Sequence, residues 1–149
     1  MITTPPVKIN LGLNVLRKRP DGYHDLETLF VPYTGVNDTL EIIGADDYSR
    51  TLSGLRDRYR SLAQDISPDG KLMISIARRE DVDWDPLKDL TAKAYFLLAE
   101  DFKLPSMKIF LEKGSPVGAG LGGGSADAAF ALRMISSLAG LGPLKEAQE

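Results

Sequence analysis

The chain has 149 residues, the size of one ordinary domain, and 43% apolar residues are enough for a real core. Eighteen Lys and Arg against 21 Asp and Glu give a formal net charge of −3 without basic blocks, which argues against a nucleic-acid footprint. The absence of cysteine and the single histidine exclude disulfides, thiolate catalysis and Cys- or His-rich metal sites. No apolar run approaches the roughly 18–20 residues that span a bilayer, and the first residues lack the charged and apolar regions of a signal peptide. The expectation is a soluble, cytoplasmic domain with no membrane partner.

Residues 7–16 alternate with period two: Val7, Ile9, Leu11, Leu13 and Val15 on one face, Lys8, Asn10, Gly12 and Asn14 on the other. This predicts a half-buried strand. A solvated face is the plainer account of Lys8 and Asn10, although Gly12 leaves room there for something to approach. Pro20-Asp21-Gly22 marks a turn. Tyr23 and His24 follow it, and Leu26 to Tyr33 reads as a second strand. The single His24 reads equally as a surface or packing residue. A turn at Val36–Asp38 leads to a third strand over 39–43. Residues 45–85 carry the weakest pattern, with a helical tendency over 56–64, a turn at Ser67–Gly70, a strand over 71–77 and a charged loop over 78–85. Asp85-Pro86 has the chemistry of an N-cap with proline at the first helical position. It predicts a helix over 87–101 with Leu90, Ala94, Leu97 and Leu98 on its core face.

The most informative stretch comes next. Met107–Leu111 reads as a strand, and five glycines fall between 118 and 124, directly before a strong helix former that runs to about 139 and ends at Gly140. Strand, glycine loop and helix, in that order, aim free backbone N–H groups and a positive helix end at an anion, most often a phosphate. A Walker A loop is excluded because no Gly-Lys-Ser or Gly-Lys-Thr occurs. The dinucleotide fingerprint is matched literally by Gly118, Gly120 and Gly123, but the strand and acidic residue it needs after the helix are missing. Strands come first and helices are few, so the expected class is α+β with a mostly antiparallel sheet.

Pro116 to Ala129, Pro-Val-Gly-Ala-Gly-Leu-Gly-Gly-Gly-Ser-Ala-Asp-Ala-Ala, resembles the phosphate loop of the GHMP small-molecule kinases. Lys-Ile-Asn-Leu-Gly-Leu at 8–13, followed by Arg-Pro-Asp-Gly-Tyr-His at 19–24, is similar to one branch of that family, which acts on a cytidine-diphosphate-linked polyol in non-mevalonate isoprenoid precursor synthesis. The resemblance covers about residues 5–44 and 86–142. It implies ATP-dependent phosphorylation of a hydroxyl, with Mg2+ and a small-molecule polyol substrate. The implied fold is a ribosomal-S5-domain-2-like domain joined to a second, ferredoxin-like one.

The resemblance also implies roles. Lys8 is the catalytic lysine, Asn10 lies beside it on the substrate face, Tyr23 stacks on cytosine and His24 hydrogen-bonds the base. Pro116, Val117, Gly118, Ala119, Gly120, Leu121, Gly122, Gly123, Gly124, Ser125 and Ala126 hold the ATP phosphates, with Lys113 near the nucleotide. No residue is assigned to metal. Residues 1–149 are expected to be the N-terminal, ATP-binding domain in incomplete form, with the C-terminal domain absent. The family's aspartate lies in a Gly-x-Asp-Val-Pro segment beyond the loop helix, so the chain alone is not expected to turn over. Asp127 is not that aspartate and is expected in the first helical turn, where a carboxylate suits the dipole. The family's usual Asp-Asn-Leu reads Lys88-Asp89-Leu90 here, at the expected adenine contact. Two alternatives stay open: a GHMP kinase for another alcohol, and a non-catalytic binding module of the same fold.

Overall fold

The structure, a computed structural model, describes residues 1–118 and 121–142. Two sheets carry the strands. β1 (Ile2–Thr3), β4 (Thr39–Gly44), β7 (Met107–Lys113), β6 (Leu72–Arg78) and β5 (Ala63–Ile66) form one sheet in the order β1-β4-β7-β6-β5. β2 (Pro6–Lys18) and β3 (His24–Asn37) form a separate hairpin. All pairings are antiparallel except β6 with β7. Three helices, α1 (Leu52–Arg58), α2 (Leu90–Asp101) and α3 (Gly123–Leu138), complete the α+β architecture expected from the sequence. Among the described residues, no helix is long and apolar enough to cross a membrane.

Alternation along the central strands sorts side chains to two layers. Leu40, Ile42, Ile74, Ile76, Ile109 and Leu111 meet Tyr95 and Leu98 of α2 and Ala131, Met134 and Ile135 of α3 in the main core. Ile43, Ala77 and Phe110 face the other way and pack on Leu55 of α1. α3 ends in a Schellman arrangement, with Leu141 N–H donating to Ser136 C=O at 2.9 Å and Gly140 at φ 68°.

Four expectations need correction. The hairpin is not half-buried: Val7 is 2% exposed, but Leu11, Leu13 and Val15 are more than half exposed. Its alternation is genuine, yet it stands off the main sheet as its own two-stranded layer, and Gly12 at φ 64° sits in a register shift between Leu11 and Asn14. The helical tendency placed at 56–64 is α1 at Leu52–Arg58, and Ala63–Ile66 is an edge strand too short to show a period. Asp85 caps only a 3-10 turn (Pro86–Lys88), while α2 starts at Leu90 under its own cap, Asp89, which accepts from Thr91 N–H at 2.9 Å. Of the predicted face Ala94 and Leu98 are buried, whereas Leu90 and Leu97 lie exposed and Thr91, Ala92 and Tyr95 are buried instead. Finally, Asp127 is not in the first turn of α3 but deeper, and 1% exposed.

That depth reflects a buried ionic cluster. Lys113, the last residue of β7, donates from Nζ to Asp38 Oδ2 at 2.6 Å and to Asp127 Oδ2 at 2.8 Å. Asp38 is the single residue between β3 and β4, and its Oδ1 accepts from Ser115 N–H and Oγ at 2.9 and 2.7 Å. Burial works to raise the Asp38 carboxyl, but the hydrogen bonds from Asp127, Lys113 and Ser115 together hold it below its ordinary value. Burial would also discharge Lys113, and the two carboxylates keep it charged. Asp127 has one donor, and its Oδ1 finds no partner among the described residues. Burial first, then the neighbouring Asp38, push Asp127 up to about 8 against the pull of Lys113. Near neutrality the cluster therefore balances as one ammonium, one carboxylate and one carboxylic acid.

This balance sets a pH dependence. Asp127 holds its proton in the folded chain up to about 8 but releases it near 3.8 when unfolded, so its contribution is full below 3.8 and is lost as pH rises toward 8. Asp38 acts oppositely: its contribution is present above 3.8 and lost as pH falls through its lowered value. Scanning calorimetry should show Tm falling between about pH 5 and about pH 8. Asp127→Asn should flatten that slope; a wild-type Tm that rises over this interval would contradict the assignment.

Candidate functional site

The glycine loop and the elements around it enclose a cavity of about 390 Å³. Its lining includes Lys113, Pro116, Val117, Gly118 and Leu121 to Ser125 from the loop, and Trp84, Lys88, Asp89 and Leu90 from the turn before α2. Ala119 and Gly120 lie outside the described residues. The loop is anchored at one end by the Lys113 cluster and by Ser115, which is 5% exposed. At the other end Gly122 is the N-cap of α3 at φ 68° and supplies no side-chain cap. The first amides of α3 thus open toward the cavity with the positive end of a 16-residue helix behind them. Ala126 N–H is already spent on Gly122 C=O at 2.9 Å, so only Gly123, Gly124 and Ser125 remain as donors of that turn.

Two of these glycines lie against side chains that a larger residue would displace. A Cβ on Gly122 would lie 2.5 Å from Cε of Lys8, and one on Gly123 would lie 2.6 Å from Oγ of Ser115. Gly122 also holds a left-handed conformation that costs an L-residue roughly 1–2 kcal/mol.

Lys8 reaches this place from the hairpin. Its N–H donates to Leu121 C=O at 2.8 Å, its stem runs along Gly122, and its ammonium sits 4.3 Å from the ring centre of Phe30 on β3. The structure therefore joins two motifs that are over a hundred residues apart in the chain. Asn10, two residues on, is exposed.

Tyr23 and His24 are not brought to the same place. His24 pairs with Lys18, while Lys8 pairs with Pro32. The two ends are therefore ten positions apart along β2, on the order of 30 Å in a straight strand. Tyr23 is 71% exposed, with the Arg19 guanidinium 5.9 Å from its ring. Lys113 borders the cavity, but its ammonium is engaged by Asp38 and Asp127 rather than free for an anion.

Lys88-Asp89-Leu90, read from sequence at the expected adenine contact, does line the cavity, whereas Trp84 was not singled out as a site wall. Trp84 Nε1 donates to Asp89 Oδ2 at 2.9 Å, while the same aspartate caps α2. The Asp-x-Thr start of α2 carried the signal that could have placed this corner. Lys88 lines the cavity and forms no ion pair among the described residues. Among the described residues, no group of three or more His, Cys, Asp or Glu side chains could hold a metal ion. The arrangement suits a ligand carrying phosphates, held by backbone amides with lysine charge at the rim.

Residues 89–148 match the family described as GHMP kinases N terminal domain. A 4-diphosphocytidyl-2-C-methyl-D-erythritol kinase of Bacteroides fragilis is 43% identical over 136 residues, covering 91% of this chain and 42% of that protein. One of Parabacteroides distasonis is 41% identical over 141 residues, covering 95% of this chain and 42% of that protein. A crystal structure of 4-(cytidine 5'-diphospho)-2C-methyl-D-erythritol kinase superimposes with a TM-score of 0.62 at 30% identity, over 93% of this chain and 41% of its own. The chain spans about two fifths of the length of these relatives. The glycine loop and the helix behind it fall within the residues that match the GHMP kinases N terminal domain, and most of the chain is similar to kinases of that kind.

Proposed function

We propose that residues 1–149 form the ATP-binding portion of a cytoplasmic kinase that phosphorylates a hydroxyl of 4-diphosphocytidyl-2-C-methyl-D-erythritol. The observation that carries this reading is Lys8 laid along Gly122 at the uncapped start of α3. A cation and a set of amide donors there converge on one spot, which is what phosphoryl transfer asks of a protein: positioning and charge stabilisation rather than covalent chemistry.

In this reading the amides of Gly123, Gly124 and Ser125 hold phosphate oxygens of ATP, and Lys88 adds attraction at the rim. Pro116, Val117, Gly118 and Leu121 cover the phosphates from the loop side. Lys113 contributes indirectly, by fixing the loop through Asp38 and Asp127. Lys8 stabilises charge on the phosphoryl group as it passes to the substrate oxygen. Mg2+ would be carried on the phosphates, where it would neutralise their charge, since among the described residues no group of three or more His, Cys, Asp or Glu side chains could hold it. Asp127 cannot serve as the base: it is buried and committed to Lys113. Asn10 holds the polyol end near Lys8, and Tyr23 and His24 receive the cytosine. For that last role the hairpin must curve, and the Gly12 bulge and the register shift after Val15 are where it can.

Three outcomes are expected. Gly122→Ala should weaken ATP binding by about tenfold or more in calorimetry, since it adds left-handed strain and pushes on Lys8; unaltered affinity in the folded variant would refute the loop assignment. Lys8→Met, assayed in the whole protein, should lower kcat by about 10²-fold or more with little change in Tm. An unchanged kcat would return Lys8 to a solvated surface. His24→Ala should raise KM for the cytidine substrate more than it lowers kcat, because a site built to pair with one base discriminates strongly against its loss; equal use of uridine and cytidine substrates by the unmutated whole protein would dismiss this role.

A further inference from the structure

We propose that the cleft between the α1–β5 connection and the loop after β6 is a second anion site, built for a small molecule carrying a diphosphate. The cleft measures about 350 Å³ and is lined by residues 58–63 and 78–82. A neighbouring cleft shares the wall from Tyr59 to Leu62 and adds Arg56. Five arginines thus meet at one edge of a chain whose net charge is −3.

Two of them have partners. Arg58 pairs with Glu112, and Arg78 Nε lies 3.3 Å from Glu80 Oε2. Arg56, Arg60 and Arg79 make no ion pair or side-chain hydrogen bond among the described residues. Guanidinium groups gathered without partners repel one another, and an anion that each can grip through two N–H groups relieves this. Of the three, Arg60 and Arg79 line the cleft itself, and a diphosphate offers about three negative charges and enough oxygens for a fork from each. Tyr59, Leu62 and Val82 supply an apolar wall for the organic part of the ligand. An extended polyanion such as a nucleic acid does not suit the place, because Asp57, Asp65 and Asp69 are interleaved with the arginines; Glu80 and Asp81 line the cleft itself, where Glu80 is paired with Arg78.

The site adjoins the glycine-loop cavity through a single segment. The Arg78 guanidinium lies 5.7 Å from the Trp84 ring, and Trp84 with Lys88 to Leu90 lines the other cavity. Trp84 is the only tryptophan, so its emission reports on this wall. The inference stands on the arginines and holds whether or not the glycine loop binds ATP.

The test titrates the chain with pyrophosphate, following heat and Trp84 emission, and compares the R60A/R79A variant. Pyrophosphate should bind the unmutated chain, and the variant should bind it at least about tenfold more weakly with its Tm and its ATP affinity kept. R60K/R79K, which keeps the charge without the fork, should fall between the two. Glycerol 3-phosphate should bind more weakly than pyrophosphate; equal binding would overturn the diphosphate assignment. No binding of millimolar pyrophosphate, or equal binding by R60A/R79A, would overturn the site itself. Because ATP is measured on the same samples, failure of ATP binding with arginine-dependent pyrophosphate binding would reject only the nucleotide reading.

Discussion

An ammonium group held away from water must be matched, and the placement of Lys113 between Asp38 and Asp127 is the constraint on which the rest of the site depends. The three residues come from the β3–β4 junction, the end of β7 and the second turn of α3. Removing Lys113 or Asp38 would leave an uncompensated buried charge, a change that in other proteins costs about 3–5 kcal/mol. The cluster therefore fixes where β7 stops, where the glycine loop departs and how α3 is set against the sheet. Its charge is divided so that Ser115, through two bonds to Asp38, ties the first loop residues to the same point.

From that anchor the loop follows with little freedom. Gly122 passes beside Lys8 and Gly123 beside Ser115, so close that a Cβ at either would displace the neighbouring side chain. The glycines thus serve two demands at once: close packing behind the loop and open amides in front of it. Lys8 is pinned from both sides, by its backbone bond to Leu121 and by Phe30 under its ammonium. A positive charge is thereby fixed at the mouth of a helix-terminal anion site, with no ion-pair partner among the described residues.

How much of this was legible in the sequence depended on the range of the interaction. The glycine run and the Ala-rich segment after it placed α3 to within two residues, because both signals are local. The alternation of Val7 to Val15 identified β2 correctly, but period two says only that one face differs, not that a layer covers it. The face that alternates here is largely exposed. Asp85-Pro86 gave a sound capping signal for the wrong helix, since the stronger cap, Asp89, lies four residues on and also binds Trp84. The buried cluster was out of reach: Asp38 and Lys113 are 75 residues apart, and neither stands out locally among 39 charged side chains, 18 basic and 21 acidic. Lys113 was expected near a nucleotide and does border the cavity, but its charge is directed inward. The Lys8 motif and the glycine loop were linked only by resemblance, and the backbone bond between Lys8 and Leu121 gives that link a physical form.

The central claim is that backbone amides at the start of α3 hold phosphate. Amide chemical shifts of the isotopically labelled chain, recorded as ATP is added, test it most directly. The largest shifts should fall on Gly123, Gly124 and Ser125, with smaller ones at Leu121 and Lys8 and none at Tyr23. ATP binding that leaves the amides of Gly123 to Ser125 unmoved would contradict the account.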